Sequence, residues 1–261
     1  MSTGLVVRLM AVCGYLVLLS PLAVVALLSM SSGAFLTFPP PGFSLRWFMA
    51  LAGNAEILAA ARNSAVLAAL VTLIALLAGF PAAVAIARER VPGWVSLLLS
   101  APLLLPTLVI GLALLMILQP HGLVATWPGL ALAHIVVVLP FVVRVMVSAL
   151  QALTADLEEA AATLGAAPSR AFLRITLPLA MPGVLAAATL AFLVSFDETV
   201  ISLFLVGPRL TTLPVALFHY TESRTDPLVA ALAVSLIAIS VGLIALVDRL
   251  IGFTRAVGRV P

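Results

Sequence analysis

The chain has no lysine and one cysteine, Cys13, and only 9% of its 261 residues are charged. Each scarcity excludes something. A lone cysteine cannot form an intrachain disulfide, and its place in an apolar run points to packing, not reactivity. A phosphate-binding Walker loop needs the lysine of G-x-x-x-x-G-K-[ST], so the chain does not hydrolyse ATP by that route. A soluble domain carries about 25% charged residues. With 64% hydrophobic residues, this chain is built for a bilayer instead. Catalytic signatures of the G-x-S-x-G and H-E-x-x-H kinds are missing. His121, His134 and His219 have no thiol or carboxylate cluster at ligand spacing, so neither a catalytic group nor a metal site is expected. The formal net charge of +3 comes from dispersed arginines without interleaved aromatics, which argues against a nucleic-acid partner.

What the chain has is apolar length. A helix needs about 20 apolar residues to cross the hydrocarbon core. Six stretches qualify: 9–30, 63–87, 95–118, 127–150, 182–206 and 228–247. The expected fold is an all-α integral membrane protein with six transmembrane helices in one domain over residues 1–261. The first stretch reads as a retained span, because it is long for a secretory signal and lacks a clear A-x-A cleavage site. Arginine bias sets the orientation. With the N-terminus inside, inner segments hold nine arginines (Arg8, Arg88, Arg90, Arg144, Arg170, Arg174, Arg249, Arg255, Arg259) and outer ones four (Arg46, Arg62, Arg209, Arg224). Both termini are therefore expected in the cytoplasm. Pro102, Pro106, Gly111 and Pro140 inside the spans predict bent helices. Ser44 is placed to cap a short helix that lays Trp47 and Phe48 at the membrane surface.

One compact charged segment, 154–178, interrupts the apolar pattern and contains "EEAAATLGAAPSRAFLRITLP". It reads as two short helices with a turn. Thr154 can cap the first, with Asp156, Glu158 and Glu159 near its positive end. Gly165 stands where a left-handed residue closes a helix, and Pro168 fits the first turn of the next. Helix is expected to stop at Leu177, before Pro178. Two readings stay open from these residues alone. The alanine face edged by Glu159 suits another protein's groove, or the segment is a solvated loop joining two spans.

The spacing E-A-A, three residues, G, nine residues, I-x-L-P is met by Glu159, Ala160, Ala161, Gly165, Ile175, Leu177 and Pro178. It resembles the EAA loop of ABC importer permeases, the membrane subunits of binding-protein-dependent transport systems. The resemblance extends to "ARNSAVLAALVTLIALLAGFPAAVAIAR" and "HIVVVLPFVVRVMVSALQAL". "SFDETVISLFLVGPRLTTLPVALFHY" is similar to the spermidine/putrescine permease branch. The resemblance implies that those seven loop residues couple the chain to an ATPase dimer, which uses ATP and Mg, while this chain binds no cofactor. It also implies a second homologous permease and an external, periplasmic substrate-binding protein, in a bacterial inner membrane. The absence of lysine agrees, and the inner tail, residues 248–261, is too short for an ATPase domain.

Asp197 and Glu198 fall inside the fifth predicted span, where ionisable groups are costly and usually face a bundle interior or water cavity. Ser195, Glu198, Thr199 and Ser202 share one helical face by spacing, with Asp197 about 100° round from Glu198. Either this stripe lines a translocation path suited to a cation such as a polyamine, or it serves packing and hydrogen bonding. His134 reads as an internally hydrogen-bonded histidine in preference to a proton relay. The outer loop "FHYTESRTDP" is a candidate contact for the binding protein. Other substrates (opine, phosphonate, metal chelate) remain open, as do an ion-gradient-driven secondary transporter and, more distantly, an intramembrane enzyme.

Overall fold

A computed structural model describes residues 3–153 and 156–251. Among these the backbone is helical, and β-pairing is confined to isolated bridges, Ser31–Phe43 and Gly207–Leu210. The helices are α1 Thr3–Ser29, α2 Arg46–Ala52, α3 Ala55–Ala87, α4 Gly93–Ser100, α5 Thr107–Leu118 and α6 Trp127–Gln151. They continue with α7 Asp156–Thr163, α8 Pro168–Ala171, α9 Leu177–Phe196, α10 Val200–Leu205, α11 Leu213–Ser223 and α12 Leu228–Ile251. By length and composition, five runs can cross a membrane: Val6–Ser29, Ala55–Ala87, Trp127–Gln151, Pro168–Phe196 and Leu228–Val247. A sixth forms if the pair Gly93–Leu104 and Thr107–His121, bent by 100°, counts as one.

The bend expected of the prolines in 95–118 falls at Pro106, and at 100° it divides the stretch into two helices. Pro106 has no N–H to continue the hydrogen-bond ladder, and it forces the preceding residue out of the helical region. Leu105 is accordingly extended (ψ 142°), after a 3₁₀ turn over Ala101–Leu104. Pro106 then leads into α5.

The chain divides into two compact units. One comprises Ala60–Val215 with Gly242–Pro261. Its centre is α6, which starts where Thr126 Oγ1 accepts the Gly129 N–H at 3.2 Å and Pro128 fills the first turn. Leu130, Val138, Val142 and Met146 are buried along it, with Leu67 and Val71 of α3 and Ala187 and Ala191 of α9 in the same cluster. α9 approaches α6 closely at Gly183, where an added Cβ would come within 2.3 Å of Ala149 Cβ. Only glycine fits there, as membrane helix contacts commonly require. Two polar groups of α3 hold the start of α11 and the residues before it: Asn63 Nδ2 donates to Thr211 O at 3.0 Å, and Ser64 Oγ accepts from Leu213 N at 2.8 Å.

The other unit comprises Met1–Ala59 with Ala216–Val241. Its loop folds on itself through Ser44 N–H to Met30 O (2.7 Å) and Ser32 N–H to Gly42 O (2.9 Å), and Leu36 N–H reaches Thr225 O at 3.0 Å. Arg46 donates to Gly33 O and lies 4.5 Å over the Trp47 ring. Ser44 does not cap α2 as expected. The N-cap is Leu45, and Ser44 Oγ accepts from Arg46 N at 3.2 Å one residue too early. The tyrosine of the "FHYTESRTDP" loop, Tyr220, donates to Asp226 at 2.9 Å. α1 exposes apolar side chains along its length, among them Met10, Tyr15, Leu16 and Leu18.

Candidate functional site

The charged segment builds two linked helices around one glycine. After α7, Gly165 takes φ +82°. Gly165 N–H bonds to Ala162 O at 2.9 Å and Ala166 N–H to Ala161 O at 3.0 Å. These paired 5→2 and 6→1 bonds form a Schellman closure, and an added Cβ at Gly165 would meet nothing within 4 Å. Backbone conformation alone therefore demands this glycine. Pro168 opens α8, as its fixed φ allows. The proposed Thr154 cap lies outside the described residues.

Helix does not stop at Leu177. Helical backbone runs unbroken from Pro168 through a π-helical turn, Phe172–Thr176, into α9, with Pro178 in its first turn. The wide turn is the physical reason. In the π register an N–H reaches back five residues, and Pro178 stands directly after it in the first turn of α9, where proline's missing N–H is tolerated.

Of the residues singled out, Glu159, Ala160 and Gly165 are exposed, as is Pro178, while Ala161, Ile175 and Leu177 are half-buried. Glu158, the neighbouring acid that sequence spacing did not select, takes internal partners. Its carboxylate accepts from Arg88, just beyond α3, and from the hydroxyl of Thr176. Arg88 also lies 5.4 Å over the ring of Phe172, which packs on Phe80 at 5.9 Å between centroids. Beside this knot is a cavity of about 310 Å³ lined by Arg88, Gln151, Leu157, Glu158, Ile175 and Thr176.

The polar stripe of the fifth predicted span is rearranged. That stretch is not one helix: α9 ends at Phe196, and α10 begins at Val200. Asp197 and Glu198 occupy the break, the first exposed and the second half-buried. Glu198 Oε1 accepts from Ile201 N at 3.0 Å, so the acid closes the start of α10. Thr199 also belongs to the break, its hydroxyl donating to Asp197 O at 3.2 Å. The single-face reading of the four residues is thus corrected, because helical spacing holds only where helix continues. Ser195 and Ser202 do converge, on a third residue. His134 of α6 is buried with its Nδ1 2.9 Å from Ser195 Oγ and its Nε2 2.9 Å from Ser202 Oγ. The ring stitches α9 and α10 together across the break.

Among the described residues, no group of histidine, cysteine and carboxylate side chains gathers to hold a metal ion.

Residues 75–255 match the family described as "Binding-protein-dependent transport system inner membrane component". The chain is 32% identical over 240 residues to "Putrescine transport system permease protein PotI" of Escherichia coli (strain K12), covering 88% of this chain and 85% of the relative. It is 35% identical over 201 residues to "Spermidine/putrescine transport system permease protein PotC" of the same organism, covering 76% of each. "Trehalose transport system permease protein SugB" of Mycobacterium tuberculosis (strain CDC 1551 / Oshkosh) is 34% identical over 71% of this chain and 69% of the relative. In fold, the chain superposes with a TM-score of 0.72 at 16% identity on a structure described as "Crystal structure of a bacterial ABC transporter involved in the import of the acidic polysaccharide alginate". That superposition covers 94% of this chain and 95% of the other.

Proposed function

The chain belongs to the binding-protein-dependent inner membrane components of ABC importers, and from that premise we propose that it forms half of an ATP-driven translocation pathway for a polyamine. Membership implies an ATPase and a substrate-binding protein as partners. In the fuller reading, a second homologous permease completes the membrane part, and an ATPase dimer using ATP and Mg docks on α7 and α8. An external binding protein delivers the solute. Both chain ends face the cytoplasm, with lipid around the remaining apolar helix faces. Closure of the ATPase pair draws two such loops together and rocks the bundle from inward- to outward-facing.

One observation carries the coupling reading. The Gly165 closure holds α7 and α8 in a fixed turn, while Glu159 and Ala160 stay exposed at its surface. Such a turn, with small residues and one charge outward, suits insertion into a partner's cleft.

The substrate class rests on two supports. The relatives at 32% and 35% identity are named as polyamine permeases, and the break between α9 and α10 presents two acids, Asp197 and Glu198. Ser195, Thr199 and Ser202 complete the proposed path lining. The trehalose permease at 34% identity is the reason the substrate needs its own test.

The test is recovery of the tagged chain from gently solubilised native membranes, followed by uptake of labelled putrescine. The expected result is co-recovery of an ATPase and a second permease, with uptake that stops on ATP depletion and survives collapse of ion gradients. A chain recovered alone, with uptake abolished by ionophores, would overturn the importer reading.

A further inference from the structure

Glu158 and Glu159 are neighbours with opposite surroundings. Glu159 is exposed and makes no side-chain hydrogen bond or ion pair among the described residues, whereas Glu158 is half-buried and accepts from both Arg88 and Thr176. That one carboxylate meets three elements. Arg88 follows the last residue of α3, Glu158 lies on α7, and Thr176 ends the π-helical turn that leads into α9. The Arg88 guanidinium also lies over Phe172 of that turn, and Phe172 packs on Phe80 of α3.

The knot has a mechanical consequence. α7 has eight residues, well short of the roughly 12–15 at which an isolated helix becomes even marginally stable. Its Gly165 closure fixes it to α8 only. The side-chain knot at Glu158 ties α7 to the end of α3 and to the π-helical turn that leads into α9. A push on α7 is then felt directly by the ends of α3 and α9.

We infer that Arg88, acting through Glu158, is a positioning residue that holds α7 against the ends of α3 and α9 and carries its movement into the membrane helices. The inference rests on the reading of α7 as the ATPase dock. It assigns the two acids separate work: Glu159 faces the partner, and Glu158 is the internal strut. It also gives Arg88 a role beyond setting membrane orientation.

The test is a charge swap in the full transporter, read as ATPase recovered per tagged permease and as the melting temperature of the solubilised complex. Arg88→Glu and Glu158→Arg each place like charges in contact. Each is expected to lower ATPase recovery about tenfold, mid-range for the coupling of contacting pairs, at unchanged membrane level. The double variant R88E/E158R restores recovery to within about twofold of the original, and Arg88→Lys keeps most of it. Arg88→Glu combined with Glu159→Arg is not restored, because Glu159 does not face Arg88. Three results would overturn the inference: singles with full recovery, a double that stays low, or singles whose membrane level and melting temperature fall in step with recovery, which marks a fold prop. Glu159→Arg alone separates the two readings. If it leaves recovery intact, the docking role of α7 fails and the inference with it. If it lowers recovery while the Arg88 variants do not, only the strut is wrong.

Discussion

The α7–α8 turn and the seam around His134 are both small polar structures in an apolar protein, and they are built in opposite ways. The turn is local. Its closing bonds join residues three and five apart, Gly165 to Ala162 and Ala166 to Ala161, and it lies at the surface. The seam is distant in sequence, joining residues 61 and 68 apart, and it is buried. Local closure depends on what one residue's backbone can do. A buried seam depends on every polar group finding a partner, because water cannot replace one that is lost.

That contrast ranks the expected damage. The largest stability loss belongs to His134→Ala, which opens a cavity and strips two serine hydroxyls of a partner in one step. About 2–4 kcal/mol is expected, read as a lower Tm and a reduced membrane level of the whole chain. A variant that melts at the original temperature would show that the seam does not hold α9 and α10 together.

Gly165→Val comes next. It forces a β-branched residue to φ +82° at about 1–2 kcal/mol, while nothing lies within 4 Å of an added Cβ from beyond the adjacent residues. The loss should appear chiefly as reduced ATPase recovery with little change in Tm. Gly165→Asn, which tolerates the left-handed region, should keep most of it. If Val and Asn behave alike, the turn's conformation is not what the partner reads.

The same contrast explains what the sequence disclosed. Gly165 and Pro168 carry their conformations in their own chemistry, so the turn was readable from spacing. The spans were readable as apolar length, and α6, Trp127–Gln151, lies within a residue of the stretch 127–150. Three features were not readable. The helix through Pro178 depends on a π-helical turn that no local residue announces. The break at Asp197–Thr199 has no proline or glycine to signal it, and helical spacing was carried across it. Glu158 was passed over for Glu159 because its partners, Arg88 and Thr176, lie 70 and 18 residues away. A usable hint was present: an arginine just beyond the end of a span and an unassigned acid in the same predicted inner compartment.

Glu198→Gln tests the break without disturbing the seam. The amide keeps an oxygen for the Ile201 N–H that Glu198 Oε1 accepts at 3.0 Å, so α10 keeps its start and only the charge is lost. Putrescine uptake should fall several-fold with ATPase recovery unchanged. Undiminished uptake would leave the acid a purely structural cap and remove one support for a cationic substrate.

The smallest effect is the most specific. Ser202 Oγ donates its one proton to Glu198 O at 2.8 Å, so toward His134 it can only accept. On a neutral ring, which has one donor and one acceptor, the proton therefore sits on Nε2, and Nδ1 accepts from Ser195 Oγ. The two serines are then not equivalent. Ser195→Ala leaves the Nε2–H bond to Ser202 in place and strands only an acceptor. Ser202→Ala strands the donor, and the ring relieves this by moving its proton to Nδ1, where the Ser195 hydroxyl accepts it. Either change costs only about 1 kcal/mol, but the tautomer switches in the second alone. With three histidines in the chain, ¹⁵N chemical shifts of histidine-labelled protein can follow the ring directly. A switch in Ser195→Ala alone would mean that Ser202 does not hold the Glu198 carbonyl and that the seam is wired the other way round.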